Sequence, residues 1–161
     1  MQLRQRLLIA TLLALGLLIG PGSSVTAHAK YKGHSQTPTE LRGTWYQYQG
    51  HHKWTKIKIT KYKVIHNGKT LYSKKKKGSQ RLYVKKYKKG NGGVNYCLNG
   101  KFKYGYQTMG NFWLSKKKVH GKRIMKSYYN MGYFQAYTRA KLAHNYSYQY
   151  DGADYMNKIG R

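Results

Sequence analysis

Downstream of residue 41 the chain alternates apolar and polar positions with a period of two. Ile57 and Ile59 stand between Lys56 and Lys58, Tyr62 and Val64 between Lys61 and Lys63, and Leu82 and Val84 precede Lys85. The same rhythm puts Val94, Tyr96 and Leu98 on one side of a strand, Phe102, Tyr104 and Tyr106 on the inner side of another, and Phe112 with Leu114 on the next. Strand side chains point alternately to opposite faces, so each run predicts a strand with one apolar face and one face of ammonium groups. Turn signals separate the runs at Gly50, Asn67-Gly68, Lys77-Gly78, Gly90 to Gly93, Asn99-Gly100, Gly110, Gly121 and Gly132, a spacing of about ten residues. Such spacing predicts an antiparallel meander of about 8–10 strands. Strands that numerous in a small domain need their edges closed or covered, which favours a barrel over an open sheet. The expected fold is all-β, a single small antiparallel meander closing into a barrel, with Thr138 to His144 as a short C-terminal helix.

The first 29 residues follow a different pattern. Arg4 and Arg6 precede an apolar stretch from Leu7 to Ile19, broken by Pro21 and Gly22, and Ala27-His28-Ala29 places small residues where a signal peptidase reads them. The stretch is shorter than the roughly 20 residues of a spanning helix, so residues 1–29 read as a signal peptide cleaved after Ala29. A retained anchor is the alternative. Residues 30–40 then form a flexible leader, 41–145 the β-barrel domain and 146–161 a C-terminal tail. The single cysteine, Cys97, has no intramolecular partner, and the absence of paired cysteines fits export from a Gram-positive cell. The expected location is extracellular, secreted or associated with the cell wall.

Composition changes this picture in two ways. Leu, Ile, Val and Phe are scarce after residue 29, at a level where high charge usually means disorder. The 18 tyrosines and three tryptophans all lie in that part, however, and supply large apolar area at low entropy cost. Charge is the second change: 32 Lys and Arg stand against three acidic residues, a formal net charge of +29.

Leu41-Arg42-Gly43-Thr44-Trp45-Tyr46, the Ile57-Lys58-Ile59-Thr60 strand and Asn67-Gly68-Lys69-Thr70-Leu71-Tyr72 together resemble the opening of small secreted Lys/Tyr-rich proteins of lactic acid bacteria. The Gly43-x-Trp45 start of a first strand is also similar to the lipocalin signature. That resemblance implies a calycin-like barrel in which Arg139, after Tyr133 to Tyr137, covers Trp45 and closes one end above Gly43, and it matches the helical piece after Arg139 to the lipocalin helix.

Glu40, Asp151 and Asp154 are the only carboxylates and lie outside the predicted sheet, so no paired-carboxylate acid/base site can be built in the core. His51, His52 and His66 make at best a sparse metal site without acidic ligands, and Cys97 has no evident orienting partner for nucleophilic chemistry. The expectation is a non-enzymatic protein with no cofactor and no metal. The remaining chemistry is basic: Lys74, Lys75, Lys76 and Lys77 at a hairpin tip, Lys85, Lys86, Lys88 and Lys89 around Tyr87, and Lys116, Lys117 and Lys118 with Lys122 and Arg123 beyond a turn. Lysine is a point charge suited to phosphate without geometric selection. For an exported protein the nearby polyanions are teichoic acids of the wall and anionic lipid surfaces, with nucleic-acid binding incidental. A barrel carrying a small apolar ligand inside is the alternative function.

Overall fold

A computed structural model of the chain describes residues 34–88, 93–104, 109–150, 152 and 155–160. The signal segment, residues 30–33 of the leader, Lys89, the turn at 90–92, Tyr106, Asp151 and Asp154 lie outside the described residues. Among those described, ten strands alternate with turns and there is no α-helix. They are β1 (Gly43–Tyr48), β2 (Trp54–Ile59), β3 (Lys63–His66), β4 (Lys69–Ser73), β5 (Lys85–Lys88), β6 (Val94–Cys97), β7 (Asn111–Val119), β8 (Lys122–Tyr128), β9 (Tyr133–Tyr137) and β10 (Tyr148–Gln149). Two antiparallel sheets result, one in the order β1-β2-β3-β4 and one in the order β10-β9-β8-β7-β6-β5.

The hairpins follow their turn chemistry. Asn67 and Gly68 form a two-residue loop with φ of 46° and 83°, the left-handed pair that a type I′ turn requires and that Asn-Gly tolerates best. His120 and Gly121 repeat it between β7 and β8, with φ of 47° and 73°. In β2 the burial alternates as the sequence predicts, with Ile57 and Ile59 buried and Lys56 and Lys58 exposed. The main core lies between the sheets: Leu41, Trp45, Ile57, Ile59 and Val64 from one side meet Tyr96, Leu98, Phe112, Met125 and Tyr137 from the other. Trp45 donates its indole N–H to the Leu41 carbonyl at 2.8 Å, so its one polar atom is satisfied inside that core.

The sheets touch through a short bridge, where Tyr46 of β1 and Thr138, just beyond β9, exchange backbone hydrogen bonds of 2.8 Å, while Ser73 bridges Arg81 within the connection from β4 to β5. Among the described residues no continuous ladder joins the two sheets into a closed barrel.

Three local expectations are corrected. Thr138 to His144 is irregular: the Thr138 backbone pairs with Tyr46 as a continuation of β9, and the Leu142 carbonyl accepts the Trp54 indole at 3.0 Å. Tyr62 lies in the β2–β3 turn, exposed, with Lys61 and Lys74 ammonium groups over its ring. Phe102 and Tyr104 lie in a turn with exposed rings, since the Phe102 amide turns back onto the Asn99 carbonyl at 2.8 Å. At the ends of the domain, Thr37 of the leader is fully buried, and the residues after Asn145 contribute β10 and the buried Met156.

Candidate functional site

The six-stranded sheet has two covered faces. Alternation sends Tyr96, Phe112 and Met125 to the main core, and it sends Asn95, Cys97, Trp113, Lys126 and Phe134 to the opposite face. Residues 146–150 and 155–160 lie across the β7–β9 part of that face. Trp113 donates its indole N–H to the Met156 carbonyl at 2.8 Å, Ser115 donates its hydroxyl to the Asn157 carbonyl at 3.1 Å, and Gln47 donates to the Ser147 hydroxyl at 2.7 Å. Trp113, Phe134 and Met156 form a second small core there, with Tyr128, Tyr148 and Tyr155 against it.

Lys126 stands in the middle of this second core with no exposed surface. Its ammonium donates to the Tyr148 hydroxyl and the Lys158 carbonyl, each at 2.6 Å, and to the Tyr155 carbonyl. It also lies 4.6 Å from the centre of the Tyr148 ring and 5.4 Å from those of Trp113 and Phe134. A buried ammonium is tolerated only when oxygen acceptors and π faces replace its water, and the returning segment brings them. This site was not foreseen. Lys126 falls where the alternation of Ile124, Lys126 and Tyr128 calls for an apolar residue, but a chain with lysine at every turn hides one lysine on the wrong face.

Where the returning segment stops, the same face opens into a cleft of about 800 Å³. Asn95, Cys97, Asn111 and Trp113 line its floor, and Tyr87, Phe102, Tyr150, Lys85, Lys101 and Lys103 stand around it. The Tyr87, Phe102 and Tyr150 rings are exposed. Asn95 is 4% exposed, and its Oδ1 has no hydrogen-bond partner among the described residues. Burial pushes the Cys97 thiol's pKa up, opposed by a backbone hydrogen bond from Asn99 and the charge of Lys85, so the thiol stays protonated and weakly nucleophilic.

The expected polyanion-binding residues fall in three places. Lys74 to Lys77 are exposed between β4 and the turn at Gly78; Lys85, Lys86 and Lys88 are exposed on β5, the edge strand of the larger sheet; Lys116 to Lys118, Lys122 and Arg123 are exposed together on the β7–β8 hairpin, where Lys118 faces Arg123. Lysines on an edge strand also discourage pairing with another chain. Arg123 is partly committed elsewhere: its guanidinium donates to the Ser115 and Leu114 carbonyls at 3.1 Å, across the register shift between Leu114 and Lys118.

Gly43, Trp45 and Arg139 do come together. The Arg139 guanidinium carbon stacks 3.6 Å from the centre of a Trp45 ring, and Gly43 has φ of 115°, with Arg139 Nη1 only 2.1 Å from where a Cβ would stand. Partial burial lowers the guanidinium's pKa from its ordinary value. His51 and His52 sit side by side in the β1–β2 turn with left-handed backbone, and His66 ends β3. Among the described residues no three metal-ligating side chains converge. The Glu40 carboxylate accepts a hydrogen bond from the Tyr96 hydroxyl. Among the described residues no helix is long and apolar enough to cross a membrane. Comparison with protein-family models, curated proteins and solved structures finds no match for this chain.

Proposed function

We propose that this is a secreted, non-enzymatic surface protein that associates electrostatically with anionic cell-wall polymers of the teichoic-acid kind. The observation that carries the reading is the exposure of lysines in three separate clusters, one in the connection after β4 and two on the larger sheet, around an interior filled by aromatic and aliphatic side chains. Point charges spread over the exterior suit a flexible polyphosphate, which can contact several clusters in turn and release counterions at each. Binding of this kind weakens steeply with salt, because charges separated by more than about 8 Å are screened at physiological ionic strength.

The test is sedimentation of the purified protein with wall material across a salt series. Retention at low salt and complete release at high salt is expected. No retention at low salt, or a bound fraction that high salt leaves in place, overturns the reading.

A carrier of a small apolar ligand is the second reading, favoured by one observation: the cleft volume lies in the range of small-molecule sites. In that reading the two sheets are halves of a calycin-like barrel joined at Tyr46–Thr138 and through the β4–β5 connection, with Arg139 over Trp45 as the closure at one end. The ligand would then lie on an outer face, since the space between the sheets is occupied by Trp45, Tyr72, Phe112 and Tyr137.

A further inference from the structure

We infer that the cleft on the outer face of the six-stranded sheet is a binding site for a segment of an acidic saccharide chain. The inference rests on the proposed wall association for its ligand class, and adds a localised site to what is otherwise a diffuse charge effect.

Three features of the cleft each restrict the ligand. Tyr87, Phe102 and Tyr150 present exposed rings at its margin, so the ligand has a flat apolar surface to lay against them. Lys85, Lys101 and Lys103 stand around the same opening, and no acidic side chain is among the described lining residues, so the ligand carries negative charge. On the floor, Asn95 holds an amide oxygen that is buried and without a partner, and an acceptor in that state costs about 1–3 kcal/mol until a donor reaches it. Small side-chain adjustment or an amide flip opens that group to a ligand hydroxyl. A lipid phosphate or a bare polyol-phosphate chain offers charge and hydroxyls but no flat apolar face. A hydrocarbon offers neither charge nor hydroxyls. Pyranose rings bearing carboxylates or phosphates supply all three: the C–H face for the aromatic rings, hydroxyl donors for Asn95 and acidic groups for the lysines.

The covered part of the face explains why the site ends where it does. Trp113 and Phe134 are packed edge to face at 78°, Tyr155 stands at 87° to Trp113, and Tyr150 packs its ring against Phe134 and Tyr155, so the inner cluster holds Tyr150 in place at the margin while Tyr87 and Phe102 stand outside it.

The experiment is calorimetric titration of the purified protein with a uronic-acid hexamer, beside a neutral hexasaccharide and a single-stranded oligonucleotide of equal charge. Wild-type protein is expected to bind the acidic hexamer at least about tenfold more tightly than the neutral one. Tyr87→Ala, at an exposed ring, is expected to weaken that binding about tenfold, as is the pair Lys101→Gln and Lys103→Gln, while Tyr62→Ala on the other sheet leaves it unchanged. Cys97, on the cleft floor, gives an independent readout: the hexamer is expected to slow its alkylation by iodoacetamide in wild type.

Hexamer binding that is indifferent to Tyr87→Ala and to both lysine changes overturns the cleft, and if salt-sensitive wall sedimentation persists the proposed function survives alone. Tighter binding of the oligonucleotide, lost in the same variants, overturns the saccharide in favour of single-stranded nucleic acid. Hexamer binding that is lost in the cleft variants, in a protein that does not sediment with walls, upholds the cleft and removes the general reading.

Discussion

Replacing Lys126 with methionine tests whether a buried ammonium holds the returning C-terminal segment against the sheet. Methionine keeps most of the stem's packing and removes the ammonium's desolvation cost, which is several kcal/mol. Against that, three oxygens lose a charged donor: the Tyr148 hydroxyl, the Lys158 carbonyl and the Tyr155 carbonyl. Hydrogen bonds to charged groups contribute about 1.5–3 kcal/mol each, and the three aromatic faces add about 1 kcal/mol or more. Tyr155 keeps one partner, the Tyr148 hydroxyl at 2.9 Å, which limits the loss. The balance is a net destabilisation of about 1–3 kcal/mol, or about 5- to 150-fold in the opening equilibrium of the segment. Because the main core lies on the other side of the sheet, amide exchange is expected to accelerate by that factor over residues 148–160 while amides beside Trp45 and Ile57 keep their protection. Chymotryptic cleavage near Tyr148 and Tyr155 should accelerate in parallel. Unchanged exchange across the segment, or a variant more stable than wild type, would refute the reasoning.

Gly43→Ala is expected to destabilise the domain by about 2–4 kcal/mol, since φ of 115° is hostile to a Cβ and the Arg139 guanidinium occupies its place; a denaturant midpoint equal to wild type would contradict this. Burial holds the His66 imidazole below its ordinary pKa of 6.5, so below that pH the unfolded chain takes up a proton that the folded chain declines. Stability therefore falls as pH drops from about 6.5 towards the folded pKa, and His66→Gln should remove that share of the slope in urea titrations between pH 5 and 8. A melting temperature that rises with added salt or polyphosphate is expected from the self-repulsion of so strongly basic a domain, and a flat salt series would exclude it.

Strand positions and hairpin turns were legible because their causes are local. Ile57, Ile59 and Val64 face inward and Lys56 and Lys58 outward for reasons contained in six residues, and Asn67-Gly68 turns the chain by its own dihedral preference. The proximity of Gly43, Trp45 and Arg139 was also legible, through a resemblance. The cleft is legible only in part: the lysine pattern marks Lys85 and places Tyr87 between lysines, but Asn95, Asn111, Lys101 and Lys103 carry no signal. The spacing of Phe102 from Tyr104 has the period of a strand, and period alone does not distinguish a strand from a turn whose rings stay exposed.

By itself the sequence determined an all-β chain of antiparallel hairpins, with apolar side chains directed one way and ammonium groups directed the other. Tertiary structure decided that the strands divide into two sheets, because the break between β4 and β5 depends on long-range packing, in which Tyr46 meets Thr138 92 residues later. It also decided that the larger sheet is covered on both faces. Alternation records which residues share a face; it carries no information about whether a segment some 20 or 30 residues later returns to cover that face. Residues 146–150 and 155–160 return over Trp113 and Lys126, burying a lysine and leaving beside them the cleft where aromatic rings, amides and ammonium groups converge.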